Sequence, residues 1–75
     1  MDCYVVDIID SEGNLLVHRK FSTLSDCNIY ADILTVIISC SESSKAKDLN
    51  SNDPSVLKFR EVKSKYFIIE KVCKR

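Results

Sequence analysis

The chain has 75 residues, 45% apolar and 29% charged, with 11 basic and 11 acidic side chains and a formal net charge of zero. That length allows one small domain, which buries only ~60% of the surface its unfolded chain exposes, and the composition is globular rather than that of a disordered tail. One Gly and one Pro exclude collagen-like, linker and Pro-rich classes, and the longest unbroken apolar runs, Cys3 to Val6 and Tyr66 to Ile69, fall far short of the ~20 residues of a membrane span.

In chain order, residues 3–9 (Cys-Tyr-Val-Val-Asp-Ile-Ile) are β-branched or aromatic at most positions and apolar on both faces, the pattern of a central strand. Asp10-Ser11-Glu12-Gly13-Asn14 reads as a turn, with Gly13 free to adopt positive φ. Leu15 to Phe21 resumes as a half-exposed second strand, in a hairpin with the first. Ser22-Thr23-Leu24-Ser25-Asp26 is a helix start, with Thr23 or Ser25 as the cap. From Asp26 to about Glu42 the period is helical, with an apolar arc of roughly 200° at about 100° per residue. Its polar stripe is Asn28, Asp32, Thr35, Ser39 and Glu42. Ser43 to Asp53 has no apolar period and is expected to be a flexible polar linker, extending to Pro54. Ser55 to Val62 and Lys65 to Cys73 read as two closing strands about a tight Lys63-Ser64 turn. The predicted fold is α+β: a single domain over 1–75, with an antiparallel sheet of about four strands and one amphipathic helix, in the order strand-strand-helix-strand-strand.

Charge is unevenly spread. Residues 1–42 carry two basic against seven acidic side chains, a balance of −5, and residues 43–75 carry nine basic against four acidic, a balance of +5. Such asymmetry points either to a nucleic-acid or acidic-surface contact or, as the favoured reading, to two halves that pair within one fold. A basic surface built from Lys58, Arg60, Lys63, Lys65, Lys71, Lys74 and Arg75 with Phe59, Tyr66 and Phe67 is the nucleic-acid version. The aromatics, however, also fit a buried strand, so no nucleic-acid partner is expected.

The four cysteines, Cys3, Cys27, Cys40 and Cys73, contain no C-x-x-C pair, and the one histidine, His18, completes no zinc pattern. Four cysteines could form two disulfides in a secreted chain, but without a signal peptide reduced thiols acting as small core hydrophobes are expected. Asp7, Asp10 and Glu12 miss the spacing of a calcium loop, and with one Gly no phosphate-cradling loop or nucleophile elbow is possible. The chain is expected to be no enzyme and to need no metal or cofactor. Met1-Asp2-Cys3-Tyr4 offers no secretory or myristoylation signal, and Cys73 is one residue off the prenylation pattern, so a soluble chain without its own anchor is expected.

The segment Asp10-Ser11-Glu12-Gly13-Asn14-Leu15, the helix start at Thr23-Leu24-Ser25-Asp26, and the closing Val56-Leu57-Lys58-Phe59 to Tyr66-Phe67-Ile68-Ile69-Glu70-Lys71-Val72 carry a resemblance covering most of residues 4–72. In their order and spacing they resemble the roadblock/longin family of small adaptor subunits, as found in the Ragulator and fungal EGO complexes. Such domains typically have five strands, and the one after the central helix would fall in the polar Ser43–Asp53 segment. The resemblance implies a non-catalytic scaffold on the cytoplasmic face of the vacuolar or lysosomal membrane. There it would help to hold Rag-type GTPases for amino-acid signalling to the TOR kinase, in a hetero-oligomer with other roadblock subunits. The membrane would be reached only through a lipidated partner. A truncated longin-type subunit of a trafficking or coat complex is the alternative.

One helix cannot cover two apolar sheet faces, so an obligate partner is expected. Its contacts are Ile29, Ile33, Val36 and Cys40 on the helix, centred on the Ile29/Val36/Cys40 flank so that Ile33, Tyr30 and Ile37 still reach the sheet. Leu57 and Phe59 would contribute from a strand. Absence of catalysis makes the first prediction: protein purified under native conditions carries no stoichiometric nucleotide or zinc by absorbance and metal analysis, and finding either at one per chain contradicts it.

Overall fold

The computed structural model describes residues 3–39 and 46–73. Strands β1 (Cys3–Asp10) and β2 (Leu15–Phe21) form the expected hairpin, followed by helix α1 (Leu24–Ser39), then β3 (Lys47–Leu49), β4 (Val56–Val62) and β5 (Tyr66–Cys73). The five strands make one antiparallel sheet in the order β2-β1-β5-β4-β3. The two strands read as apolar on both faces, β1 and β5, lie side by side in its interior, and the more polar β2 is an edge.

Each junction has a local cause. In the β1–β2 turn, Asp10 Oδ1 accepts from the Glu12 and Asn14 amides at 2.9 and 2.8 Å, Asn14 Nδ2 donates to Oδ2 at 3.0 Å, and Gly13 takes φ 88°. Those bonds favour the ionised carboxyl and hold Asp10 below the ordinary aspartate value. Thr23 caps α1, its Oγ1 accepting from the Asp26 amide at 3.2 Å, so the helix begins two residues before the expected Asp26; the expected end at Glu42 lies outside the described residues. Between β4 and β5, Lys63 and Ser64 both sit at φ 56°, and the Lys65 amide closes the turn on the Val62 carbonyl at 3.1 Å. Two left-handed positions in succession are what a type I′ turn demands.

The sheet has five strands where four are expected. The fifth, β3, is cut from the polar segment expected to be a flexible linker over 43–54. Its Lys47 and Asp48 are exposed and only Leu49 is half-buried. A three-residue edge strand needs one apolar side chain and a backbone partner, here β4 through Lys47↔Glu61 and Leu49↔Phe59, so it leaves no hydrophobic period to read. After it, Asp53 Oδ1 accepts from the Ser55 amide and hydroxyl at 2.9 and 2.8 Å and orders the turn into β4.

Helix α1 covers one sheet face. The core beneath it is Val6, Ile8, Val62 and Ile68 from the strands, with Cys27 and Ala31 from the helix, flanked by Leu34, Ile38, Tyr30, Phe21 and Tyr66. Within this core lies a buried ion pair. Glu70 on β5 is 0% exposed and Arg60 on β4 8% exposed, and Arg60 Nη2 donates to Glu70 Oε2 at 2.6 Å. Arg60 Nη1 reaches Asp32 Oδ1 at 3.0 Å and Thr35 Oγ1 at 3.1 Å on the helix. Among the described residues no buried side-chain polar atom lacks a partner. Arg60, a member of the basic surface weighed as the alternative reading, is instead a core residue.

Removing one member of such a pair leaves the other charge buried and costs about 3–5 kcal/mol, whereas replacing both by apolar side chains is often neutral or stabilising. Arg60→Met is therefore expected to lose about 3–5 kcal/mol in denaturant unfolding, and Arg60→Met/Glu70→Leu to regain wild-type stability or better. Equal losses in the single and double variants would show that the ion pair is not the source.

Candidate interaction surfaces

Cys27, Ala31, Leu34 and Ile38, spaced i, i+4, i+7, i+11, share one side of α1 and form its seam against the sheet. The small side chains of Cys27 and Ala31, both fully buried, let the helix sit close to the sheet, and Thr35 flanks the seam on the Arg60 side. On the other flank Tyr30 packs on Phe21, with ring centroids 5.1 Å apart, beneath the Arg19 guanidinium at 5.6 Å. This orientation turns Ile29, Ile33, Val36 and Ile37 away from the sheet, at 54, 51, 63 and 61% exposure. Ile33 and Ile37, expected to reach the sheet, do not. The helix is rotated roughly 80° about its axis, at about 100° per residue, from the position that the midpoint of its apolar arc would choose. Arg60 holds this orientation through its bonds to Asp32 and Thr35; of these two members of the stripe expected to face water, Thr35 is half-buried and Asp32 stays exposed.

Ile29, Ile33, Val36 and Ile37 follow the i, i+4, i+7, i+8 spacing of a single helical ridge. Ile33, Val36 and Ile37, with Asp32, line a concavity along it. A second groove, between α1 and the β1–β2 hairpin, is lined by Leu16, Val17, Leu34, Ile37, Ile38 and Tyr66, so apolar surface continues around the helix from the ridge to the hairpin edge.

The sheet face away from α1 is a second surface. Register places Val5, Asp7 and Ile9 of β1 there, beside Phe67, Ile69 and Lys71 of β5 and Phe59 of β4. Phe59 and Phe67 pack with ring centroids 6.0 Å apart. Toward β2 this face becomes polar. Asp7 Oδ1 lies 2.6 Å from His18 Nδ1, and Asp7 Oδ2 lies 3.4 Å from Lys71 Nζ. These groups line an open pocket with Lys20, Ser55, Val5 and Cys73.

Of the six expected partner contacts, the five described ones do not share one surface. Ile29, Ile33 and Val36 share the helix ridge. Phe59 is half-buried on the opposite sheet face, and Leu57 is 44% exposed at the bulge in β4. Cys40 lies outside the described residues. Ile37 belongs to the ridge but was assigned to the sheet; its signal was the i, i+4 step from Ile33. Among the described basic residues of the second half, Arg60 is buried and Lys71 pairs with Asp7. Among the described residues no group of three or more His, Cys, Asp or Glu is placed to hold a metal, and the helix is not long and apolar enough to cross a membrane.

Cys27 is the one described thiol whose reactivity the fold suppresses outright. Burial, then the nearby Glu70 carboxylate with Oε1 at 3.9 Å from its sulfur, pushes its pKa up to about 11. Iodoacetamide at pH 8, applied to reduced folded protein, is expected to modify the partly exposed Cys73 and to leave Cys27 untouched until denaturant is added. Alkylation of Cys27 at a comparable rate in the native state, read by peptide mass, would contradict that environment.

The chain is 35% identical over 80 aligned positions to the protein called Uncharacterized protein 70 of Sulfolobus islandicus filamentous virus (isolate Iceland/Hveragerdi), an alignment spanning 96% of this chain and 99% of the viral one. No family model matches the chain, and no solved structure matches it.

Proposed function

The chain belongs to the same family as the viral protein 70, and from that premise we propose that it is a non-catalytic adaptor module whose helix ridge seats an apolar face of a partner subunit. The observation that carries this is the ridge itself: Ile29, Ile33, Val36 and Ile37, each more than half exposed, on a domain with little other core. Soluble monomers rarely keep contiguous apolar patches of that kind uncovered.

The architecture supports an adaptor of roadblock/longin type, because the helix follows the second of five antiparallel strands and the short β3 falls where such domains carry their post-helix strand. The finer reading is a seat for Rag-type GTPases at a vacuolar or lysosomal membrane, reached through a lipidated partner and serving TOR signalling. It is carried by the sequence resemblance alone, and the same experiment decides it.

That experiment is affinity purification of the tagged chain from its native source, with Ile33→Glu and Ala31→Glu as variants. Ile33→Glu is expected to lose the partner by burying an unpaired carboxylate at the interface, while its own stability stays within about 0.5 kcal/mol of the parent, as for ordinary surface changes. Ala31→Glu, at the helix–sheet seam, is expected to unfold the domain. Retention of every stoichiometric partner by folded Ile33→Glu would remove the ridge from the interface. Recovery of the parent as a stable monomer that binds no hydrophobic dye would remove the adaptor reading. Coat proteins in place of GTPase scaffolds would favour the trafficking alternative.

A further inference from the structure

The β1–β5 ladder runs unbroken from Asp10↔Tyr66 to Cys3↔Cys73, so two cysteines 70 positions apart face each other as direct cross-strand partners. Cys3 Sγ donates to the Cys73 carbonyl oxygen at 3.3 Å, which places its sulfur over the opposite residue. By register both side chains lie on the sheet face away from α1, with Val5 and Lys71. Directly opposed antiparallel residues have Cα atoms roughly 4.5–5.5 Å apart, inside the range of roughly 4.4–6.8 Å that a disulfide spans without backbone movement.

We propose that Cys3 and Cys73 are a cross-linking site, closed into a disulfide by a small oxidised disulfide, so that the outer ends of β1 and β5 become covalently joined. Neither thiol is buried: both residues are half-exposed, and Cys73 lines the open pocket that also holds Lys20 and Lys71. With Asp7 in the same pocket offsetting one of them, the two ammonium groups leave it one positive charge in excess, which favours an anionic reagent such as oxidised glutathione. Cys27 does not compete, because it lies fully buried beneath the helix on the other side of the sheet, its sulfur 3.9 Å from the Val5 carbonyl oxygen.

The chemistry is two successive thiol–disulfide exchanges. The Cys73 thiol gives up its proton and attacks one sulfur of oxidised glutathione. The S–S bond breaks, a mixed disulfide forms, and one glutathione leaves as the thiolate that accepts that proton. The Cys3 thiol then loses its proton and attacks the Cys73 sulfur, and the second glutathione leaves in the same way. Two protein thiols are oxidised by two electrons, and one glutathione disulfide is reduced to two thiols. The cross-link constrains the unfolded chain over a loop of nearly its whole length, where the entropic effect of a disulfide is largest.

The test equilibrates the full chain in glutathione buffers from fully reduced to fully oxidised, then follows intact mass, peptide mapping without reduction, and thermal unfolding. Oxidised protein is expected to be lighter by two hydrogens, to yield a peptide joining Cys3 to Cys73, and to melt higher by roughly 10–25 °C, reversibly on adding reductant. Cys3→Ser and Cys73→Ser should each abolish both the mass loss and the thermal response, while Cys40→Ser keeps them. The proposal is overturned if both thiols persist in the oxidised buffer, if either cysteine pairs with Cys40 instead, or if Cys73 stops at the glutathione adduct. A cross-link that forms without raising the melting temperature overturns the claim that it secures the fold.

Discussion

A carboxylate buried to zero exposure in the middle strand of a small sheet must be given a cation, and Glu70 receives one from Arg60 on the neighbouring strand. An arginine carries five N–H donors, and a single carboxylate cannot satisfy them. The remainder reach across the layer boundary to Asp32 and Thr35, so α1 is fixed in rotation by hydrogen bonds as well as by apolar contact. Ala31 and Cys27 suit this seam because they are small. The isoleucines that would otherwise have filled it, Ile33 and Ile37, are left outside. The exposed ridge is thus a consequence of how the core treats one charge.

The same accounting explains the charge asymmetry of the chain. The acidic first half and the basic second half meet inside the fold through Asp32 with Arg60 on one side of the sheet, and Asp7 with Lys71 on the other. Opposite signs placed far apart in sequence return to neighbouring positions because β5 lies beside β1 and β4 is next in order. Charge that looks like a binding surface in the linear sequence is here partly spent on joining the two halves.

How far the fold was legible follows from these details. The double-faced apolar runs of β1 and β5, the Asp10–Asn14 turn and the Lys63-Ser64 turn each carry a local signature and are where the sequence places them, and the cap is Thr23, one of the two candidates the sequence offers with Ser25. β3 was not legible, because Lys47-Asp48-Leu49 has no period and owes its extended form to β4. Helix rotation was not legible either. Cys27/Ala31/Leu34/Ile38 and Ile29/Ile33/Val36/Cys40 have the same i, i+4, i+7, i+11 spacing, so periodicity offers two equivalent seams and cannot choose between them. The choice rests on Arg60, a residue in another element that reads as surface from its type alone. Of the six expected contact residues, the three described helical ones fall on one ridge, and Leu57 and Phe59 do not join them.

The pairing of the first strand with the last has a kinetic meaning as well. In the ladder order β2-β1-β5-β4-β3, the β1–β2 hairpin and the β4–β5 hairpin can each form from residues close in sequence, but the seam uniting them, β1 against β5, spans nearly the whole chain. Contacts of such separation are slow to nucleate, because loop closure must precede any reward. During synthesis β1 therefore waits with one edge open until β5 has left the ribosome, and Glu70 meets Arg60 and the helix only then. Until β5 joins it, β1 is paired with β2 on one side only, and its other edge stays open to whatever surrounds the chain.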